Sequence, residues 1–213
     1  MLPPQKALEE ILMYIIGITG GTGAGKTSAL RALEALGALV LDCDAIYHEL
    51  LAGDEALKSE LGTRFDGVLH DETIDRTALS KIVFSDSTAL HDLGLITNKY
   101  VGAEIERRIN EWEASGGTVA AIDAILLIES GRAKKCDIVV GVTAPREMRI
   151  NRIKKRDGIT REQAEMRINA QKTDSFYEEN CDFILEGIYE SSKEFEDKCK
   201  AFFVKLIGGK ING

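Results

Sequence analysis

The run Gly20-Gly21-Thr22-Gly23-Ala24-Gly25-Lys26-Thr27 has the form GxxxxGK[ST]. Each residue type in it suits one part of holding a polyphosphate. Glycines let the backbone curl until successive N–H groups converge on phosphate oxygens. A helix that begins at the lysine adds the positive end of its dipole at the same place. Lys26 sets a point charge against the β- and γ-phosphates, and the Thr27 hydroxyl suits a Mg2+ ion. The spacing therefore predicts a nucleoside triphosphate site built from Gly20 to Thr27, in which Lys26 also acts on the transferred group.

Acids at strand ends supply the next candidates. Asp42 and Asp44 follow the apolar run Ala38–Leu41, and ligands of a parallel sheet gather at the carboxyl ends of its strands. A spacing of two in extended chain sends both carboxylates to one side. Either one suits binding an acceptor hydroxyl and taking its proton during attack on phosphorus. The competing roles are structural: Asp44 as the N-cap of a helix starting near Ala45, and Asp42 as a solvated loop acid. Asp123 closes the apolar run Thr118–Ile122 and is placed to hold Mg2+ directly or through water. His48, four residues past Asp44, suits a hydrogen bond to that acid, a contact with a ligand phosphate, or a purely structural bond. Arg107 and Arg108 suit either a second anionic group of the acceptor or surface salt links. His48, His70 and His91 lack metal-ligand spacing.

Between Pro145 and Lys172 stand nine basic residues against four acids, a net of +5 in a chain whose total is −8. Pro145 suits the first turn of a helix carrying Arg149, Arg152 and Arg156 near one face. Gly158 breaks that pattern. Thr160-Arg161-Glu162-Gln163 has the form of a capping box opening a second helix, with Arg167 and Gln171 one turn apart. Two arginine-rich helices about a glycine suit a lid over phosphates, with Arg149 and Arg156 as catalytic cations. Such a lid keeps water from competing with the acceptor.

Apolar runs at Tyr14–Thr19, Ala38–Leu41, Thr118–Ile122, Asp137–Val142 and Asp182–Leu185 alternate with helical patterns, the order of a parallel α/β sheet. In the first of these helices Ala29, Leu30, Leu33 and Leu36 recur at helical spacing, and Gly37 stops it. The expected division has a nucleotide core of 14–44, 116–145 and 173–213, a helical acceptor-binding insertion of 45–115 without strands, and a basic lid of 146–172. Residues 1–13 form an extension with a short helix over Lys6–Met13. With 213 residues, 44% hydrophobic and 29% charged, the chain has enough apolar material for a packed core. The acidic balance argues against a nucleic-acid partner. Ile11–Ile18 is too short to cross a bilayer and lacks a basic leader, which argues against membrane association and a signal peptide. Cys43, Cys136, Cys181 and Cys199 show no CxxC spacing and suit a reducing cytoplasm. A monomer or weak oligomer is expected.

Taken together, these segments resemble the dephospho-CoA kinase family. The resemblance spans Ile15 to Gly187. It is carried by Ile16-Gly17-Ile18-Thr19 with the glycine loop, and by Leu41-Asp42-Cys43-Asp44, where the family has Asp-Ala-Asp. It continues through Asp123-Ala124-Ile125-Leu126-Leu127-Ile128-Glu129, Arg156-Asp157-Gly158-Ile159-Thr160, Arg167 with Gln171, and Asp182-Phe183-Ile184. It implies a P-loop NTPase-type sheet of about five parallel strands flanked by helices, with a helical substrate-binding insertion and a helical lid. The implied reaction moves a phosphoryl group from ATP, with Mg2+, to the ribose 3′-hydroxyl of dephospho-CoA. Asp44 matches the family's general base and Asp42 its companion. The chain departs from the family at Ile125, which replaces proline, at Asn98-Lys99, which replaces His-Pro, and at Gly187, where asparagine is common.

Alternatives are another P-loop small-molecule kinase, a GTP switch, and a paralogue that binds without turnover. Asn98-Lys99-Tyr100-Val101 lacks the last acid of a guanine-reading Asn-Lys-x-Asp loop. Intact Lys26, Thr27 and Asp44 argue against loss of turnover.

Overall fold

A computed structural model describes residues 13–211; the helix expected over 6–13 lies outside them except for Met13. In chain order the elements are β1 (Tyr14–Thr19), α1 (Lys26–Glu34), β2 (Leu39–Asp42), α2 (Cys43–Gly53), α3 (Glu55–Arg64), β3 (Leu69–His70), β4 (Thr73–Ile74), α4 (Arg76–Ser85) and α5 (Ser87–Ala114). There follow β5 (Val119–Asp123), a 3-10 turn (Arg132–Lys135), β6 (Ile138–Thr143), α6 (Arg146–Asp157), α7 (Arg161–Asn169), α8 (Asp174–Asn180), β7 (Phe183–Glu186) and α9 (Ser192–Ile211).

The five expected strands form one parallel sheet in the order β2-β5-β1-β6-β7. Alternate side chains serve opposite faces, as strand geometry requires. Tyr14, Ile16 and Ile18 of β1, with Val119 and Ala121 of β5, pack with α1 and α9 through Ala29, Leu33, Phe195 and Phe203. Ala120 and Ile122 of β5, with Val139 of β6, pack on the other side against Ile46 of α2 and Val101, Ile105 and Ile109 of α5. The sheet is thus covered on both faces, which explains why its strands read as nearly continuous apolar runs.

Four strands reach one residue further than their apolar runs, because the polar residue at the exit still pairs: Asp42 opposite Asp123, and Thr143 opposite Glu186. At the other end, Asp137 and Asp182 precede the strands they were expected to open. Their carboxylates accept the N–H groups of Ile15 and Val139 on the neighbouring strands, each at 2.7 Å. Gly37 ends α1 as expected: its N–H reaches the Glu34 carbonyl, and that of Ala38 reaches Leu33.

The stretch 45–115 differs from expectation in containing a hairpin, β3–β4. Its loop, Asp71-Glu72, has positive φ at both residues, 45° and 62°, the backbone of a two-residue hairpin turn. With neither glycine nor asparagine there, the pair lacks the usual signature of such a turn, although aspartate is at home in turns. The stretch has its own core, in which Leu57, Leu61, Phe65, Val68 and Ile74 meet Ala89 and Ile96 of α5. The 28 residues of α5 span about 42 Å at the usual helical rise. One half of the helix packs in this core and the other half against the sheet, so α5 is the beam that joins the two.

Exchanging Asp71-Glu72 for Asn-Gly relieves two unfavourable backbone conformations. The double variant is expected to gain about 1 kcal/mol in urea denaturation. No gain, or a loss, would mean that these two residues are not strained.

Candidate active site

The loop after β1 is shaped by close approaches that only glycine permits. At Gly20, φ is 137°, and a Cβ would stand 2.1 Å from the Val142 carbonyl oxygen on β6. A Cβ on Gly21 would stand 2.1 Å from Nη2 of Arg149. The loop delivers the chain to α1 through Gly25 in the left-handed region, with φ 118° and no side-chain cap on the helix. By contrast α2, α3, α4 and α5 are each capped by an aspartate: Asp42, Asp54, Asp75 and Asp86. The opening amides of α1 therefore face an unfilled requirement for a negative partner, at the positive end of the helix.

Lys26 folds back so that its Nζ donates to the Gly20 carbonyl at 2.9 Å. Burial pulls its pKa below the ordinary lysine value. The carboxylates of Asp123 and Asp44 oppose that shift, and Arg149 and Arg156 add to it. The charges of four expected site residues, from α2, β5 and α6, thus act on the lysine. Burial likewise pushes the Asp123 carboxyl up to about 6, against the favourable field of Lys26 and with the help of Asp42 and Asp44. One Asp123 oxygen, Oδ1, is buried without a hydrogen-bond partner. That orphaned oxygen, with the exposed Thr27 hydroxyl of the glycine loop, fits a metal ion bound chiefly through nucleotide phosphates and water. No cluster of three or more His, Cys, Asp or Glu capable of holding a metal by themselves occurs among the described residues.

The acid pair divides its work differently from expectation. The cap is Asp42, whose Oδ1 accepts the N–H groups of Asp44 at 2.9 Å and Ala45 at 3.0 Å. The helix accordingly begins at Cys43 rather than near Ala45, and Asp44 lies in its first turn, exposed. Its carboxylate is committed to no hydrogen bond among the described residues. His48 is also exposed, and it meets the Tyr47 ring at 6.0 Å rather than bonding to Asp44. Arg107 is held by Glu104 through two 2.8 Å bonds and by Glu111 at 2.5 Å. Arg108 pairs with Glu104 and Glu49. Of the two roles open to these arginines, salt links match the geometry.

In the basic stretch, Gly158 ends α6 at φ 67° and Thr160 with Gln163 forms the expected capping box. Pro145 is the N-cap of α6 rather than a first-turn residue. Arg149, only 4% exposed, donates to the Thr22 carbonyl at 2.9 Å, to Gln171 at 3.2 Å and to Asp174 at 3.4 Å. Gln171 lies beyond the end of α7, and its Oε1 also accepts the Thr22 N–H at 2.8 Å. Arg156 is more open: it pairs with Asp157 at 2.6 Å and reaches the Thr22 hydroxyl at 3.4 Å.

Arg152, not assigned a role from sequence, donates to the carbonyls of Gly23 at 3.2 Å and Gly187 at 2.7 Å while its guanidinium lies 3.8 Å over the Tyr189 ring. Its helical spacing from Arg149 and Arg156 was the available signal. Gly187 earns its place sterically, since a Cβ there would stand 2.0 Å from the Ala24 carbonyl oxygen.

A carboxyl whose pKa rises on folding, from 3.8 to about 6 at Asp123, binds its proton more tightly in the folded state. Its stabilising contribution is present below pH 4 and is lost as pH rises to about 6. Without nucleotide, wild type should therefore lose about 1–3 kcal/mol relative to Asp123→Asn between pH 4.5 and 7.5, read by urea denaturation. A constant difference between the two across that range would contradict the burial of this carboxylate.

The family model described as dephospho-CoA kinase matches residues 14–191. A dephospho-CoA kinase of Geobacter sulfurreducens is 41% identical over 161 residues, covering 75% of this chain and 82% of the relative. A crystal structure from Thermus thermophilus superposes with a TM-score of 0.77 at 29% identity, covering 92% of this chain and 98% of that one. The dephospho-CoA kinase of Campylobacter jejuni, at 23% identity and a TM-score of 0.66 over 92% of this chain and 98% of its own, shares the fold. With its glycine loop, its five-stranded parallel sheet and a family match over most of its length, the chain belongs to the dephospho-CoA kinase family.

Proposed function

We propose that the chain moves the γ-phosphoryl group of ATP to the ribose 3′-hydroxyl of dephospho-CoA, with Asp44 as the base and the 20–27 loop as the phosphate cradle. The observation that carries this reading is the uncapped start of α1, where Lys26 is bonded to the Gly20 carbonyl within the fields of Asp44, Asp123, Arg149 and Arg156.

The uncapped amides of α1 and the loop take the phosphates, and Lys26 exchanges its bond to the Gly20 carbonyl for the β- and γ-phosphate oxygens. Asp42 caps α2 and so fixes the first turn that carries Asp44. The Asp44 carboxylate, bonded to nothing else among the described residues, accepts the proton of the 3′-hydroxyl as its oxygen bonds to the γ-phosphorus. The bond from that phosphorus to the bridging oxygen breaks, and its electron pair leaves on ADP. Arg156, at the exposed edge of the loop, meets the charge that develops on the transferred oxygens. Arg149 and Arg152, tied to loop carbonyls, keep the cradle in shape. Thr27 and Asp123 are the residues that would hold Mg2+, which when bound neutralises phosphate charge. The stretch 146–172, with Arg156 and α7, serves as the water-excluding lid, and 45–115 serves the acceptor. No described helix is long and apolar enough to cross a membrane, in keeping with a small-molecule acceptor.

Incubation with Mg-ATP and a panel of acceptors, read by mass spectrometry, should yield phosphorylated dephospho-CoA in preference to nucleoside monophosphates. Lys26→Ala should lower turnover at least about 100-fold with the fold intact. Asp44→Asn should lower kcat about 100- to 10,000-fold with little change in KM for ATP. Asp42→Asn should leave a working base. A loss in Asp44→Asn confined to KM for ATP would remove the base assignment.

A further inference from the structure

Arg132 lies in the 3-10 turn between β5 and β6, where that connection meets α5. Its Nη2 donates to Asn98 Oδ1 at 2.9 Å, and the Asn98 Nδ2 donates in turn to the Ser130 carbonyl at 3.4 Å. The asparagine is thus fixed at both ends and orients the guanidinium. One turn along α5, Gly102 faces it: a Cβ there would stand 3.5 Å from Arg132 Nη1, an ordinary contact distance. The half-buried Arg132 carries no ion pair among the described residues; Arg152, the other half-buried arginine without one, is instead bonded to the Gly23 and Gly187 carbonyls, and Arg31, Arg76 and Arg146 are exposed. Its Nε and Nη1 have no acceptor among the described residues.

The location is also specific. Burial raises the Cys43 thiol to about 11, and the charge of Arg132 acts against that rise. Ala133, the next residue, packs in the same core cluster as Cys43, the residue that separates Asp42 from Asp44. A half-buried cation held by a neutral amide has given up water without gaining an opposite charge, an arrangement suited to a ligand anion. In dephospho-CoA the diphosphate is attached to the same ribose whose 3′-hydroxyl reacts, so whatever receives it must lie near Asp44.

We propose that Arg132, oriented by Asn98, binds the diphosphate of the acceptor, with Asn98 as a positioning residue in the place where the family has histidine. This rests on the acceptor assignment above and adds to it the group that recognises the acceptor's charge.

The test is steady-state kinetics with each substrate varied in turn, together with calorimetric binding of dephospho-CoA, for Arg132→Ala, Arg132→Lys, Asn98→Ala and the Arg132→Ala/Asn98→Ala double variant. Loss of a charged hydrogen-bonding partner should raise KM and Kd for dephospho-CoA about 10- to 100-fold in Arg132→Ala, with KM for ATP within about twofold. Arg132→Lys should recover part of the loss. Asn98→Ala should show a smaller effect that adds nothing in the double variant. Unchanged KM and Kd for dephospho-CoA in Arg132→Ala, with turnover intact, would overturn this proposal and leave the kinase reading standing. A lowered melting temperature with equal losses toward both substrates, not recovered by lysine, would also overturn it, making the pair a structural tie. Failure of wild type to phosphorylate dephospho-CoA would instead remove the reading on which it rests.

Discussion

The start of α1 is left without a side-chain cap or a first-turn acid, and the rest of the site is arranged around it. The helices of the 45–115 stretch satisfy their first amides with aspartates. The helix after the glycine loop has no side-chain cap and no acid in its first turn. An uncapped start leaves several N–H groups and a positive dipole unanswered, and an anion is their natural complement. Bare amides alone would not hold a defined shape, and the loop is not left to do so. Arg149 and Arg152 bind its carbonyls at Thr22 and Gly23, and Gln171 holds the Thr22 N–H. The carbonyls that would repel phosphate are thereby turned toward cations.

The same economy governs the charges. Lys26 and Asp123 are both shifted toward their neutral forms by burial, and each is the other's main compensation. Neither is well served by protein groups alone. Phosphates would supply the anions that Lys26 lacks, and a metal ion would supply the cation that the orphaned Asp123 oxygen lacks. Binding therefore relieves a tension present in the folded protein, which is why these groups can remain buried at all.

The sheet and the cradle were legible in the sequence for physical reasons. Strands covered on both faces must be apolar throughout, and a loop that surrounds phosphate must be glycine-rich and end in lysine. The capping box at Thr160–Gln163 and the stop at Gly158 were legible because both are local chemistry. Other features depend on contacts the sequence does not display. The Asp71-Glu72 turn lacks the glycine or asparagine that usually marks a two-residue hairpin. Gln171 meets Thr22 across 149 positions, and Arg152 meets Gly187 across 35. The choice between Asp42 and Asp44 as cap turned on a helix start two residues earlier than the pattern suggested. Arg107 offered the right charge, but its neighbours Glu104 and Glu111 already satisfy it.

The most direct measurement of the central claim is hydrogen exchange resolved at single amides from Gly20 to Ser28, with and without Mg-ATP. The uncapped cradle predicts strong protection on binding at Gly23, Gly25, Lys26 and Thr27, with Thr22, whose amide Gln171 already holds, changing little. Protection that bypasses the start of α1 and falls elsewhere would contradict the account.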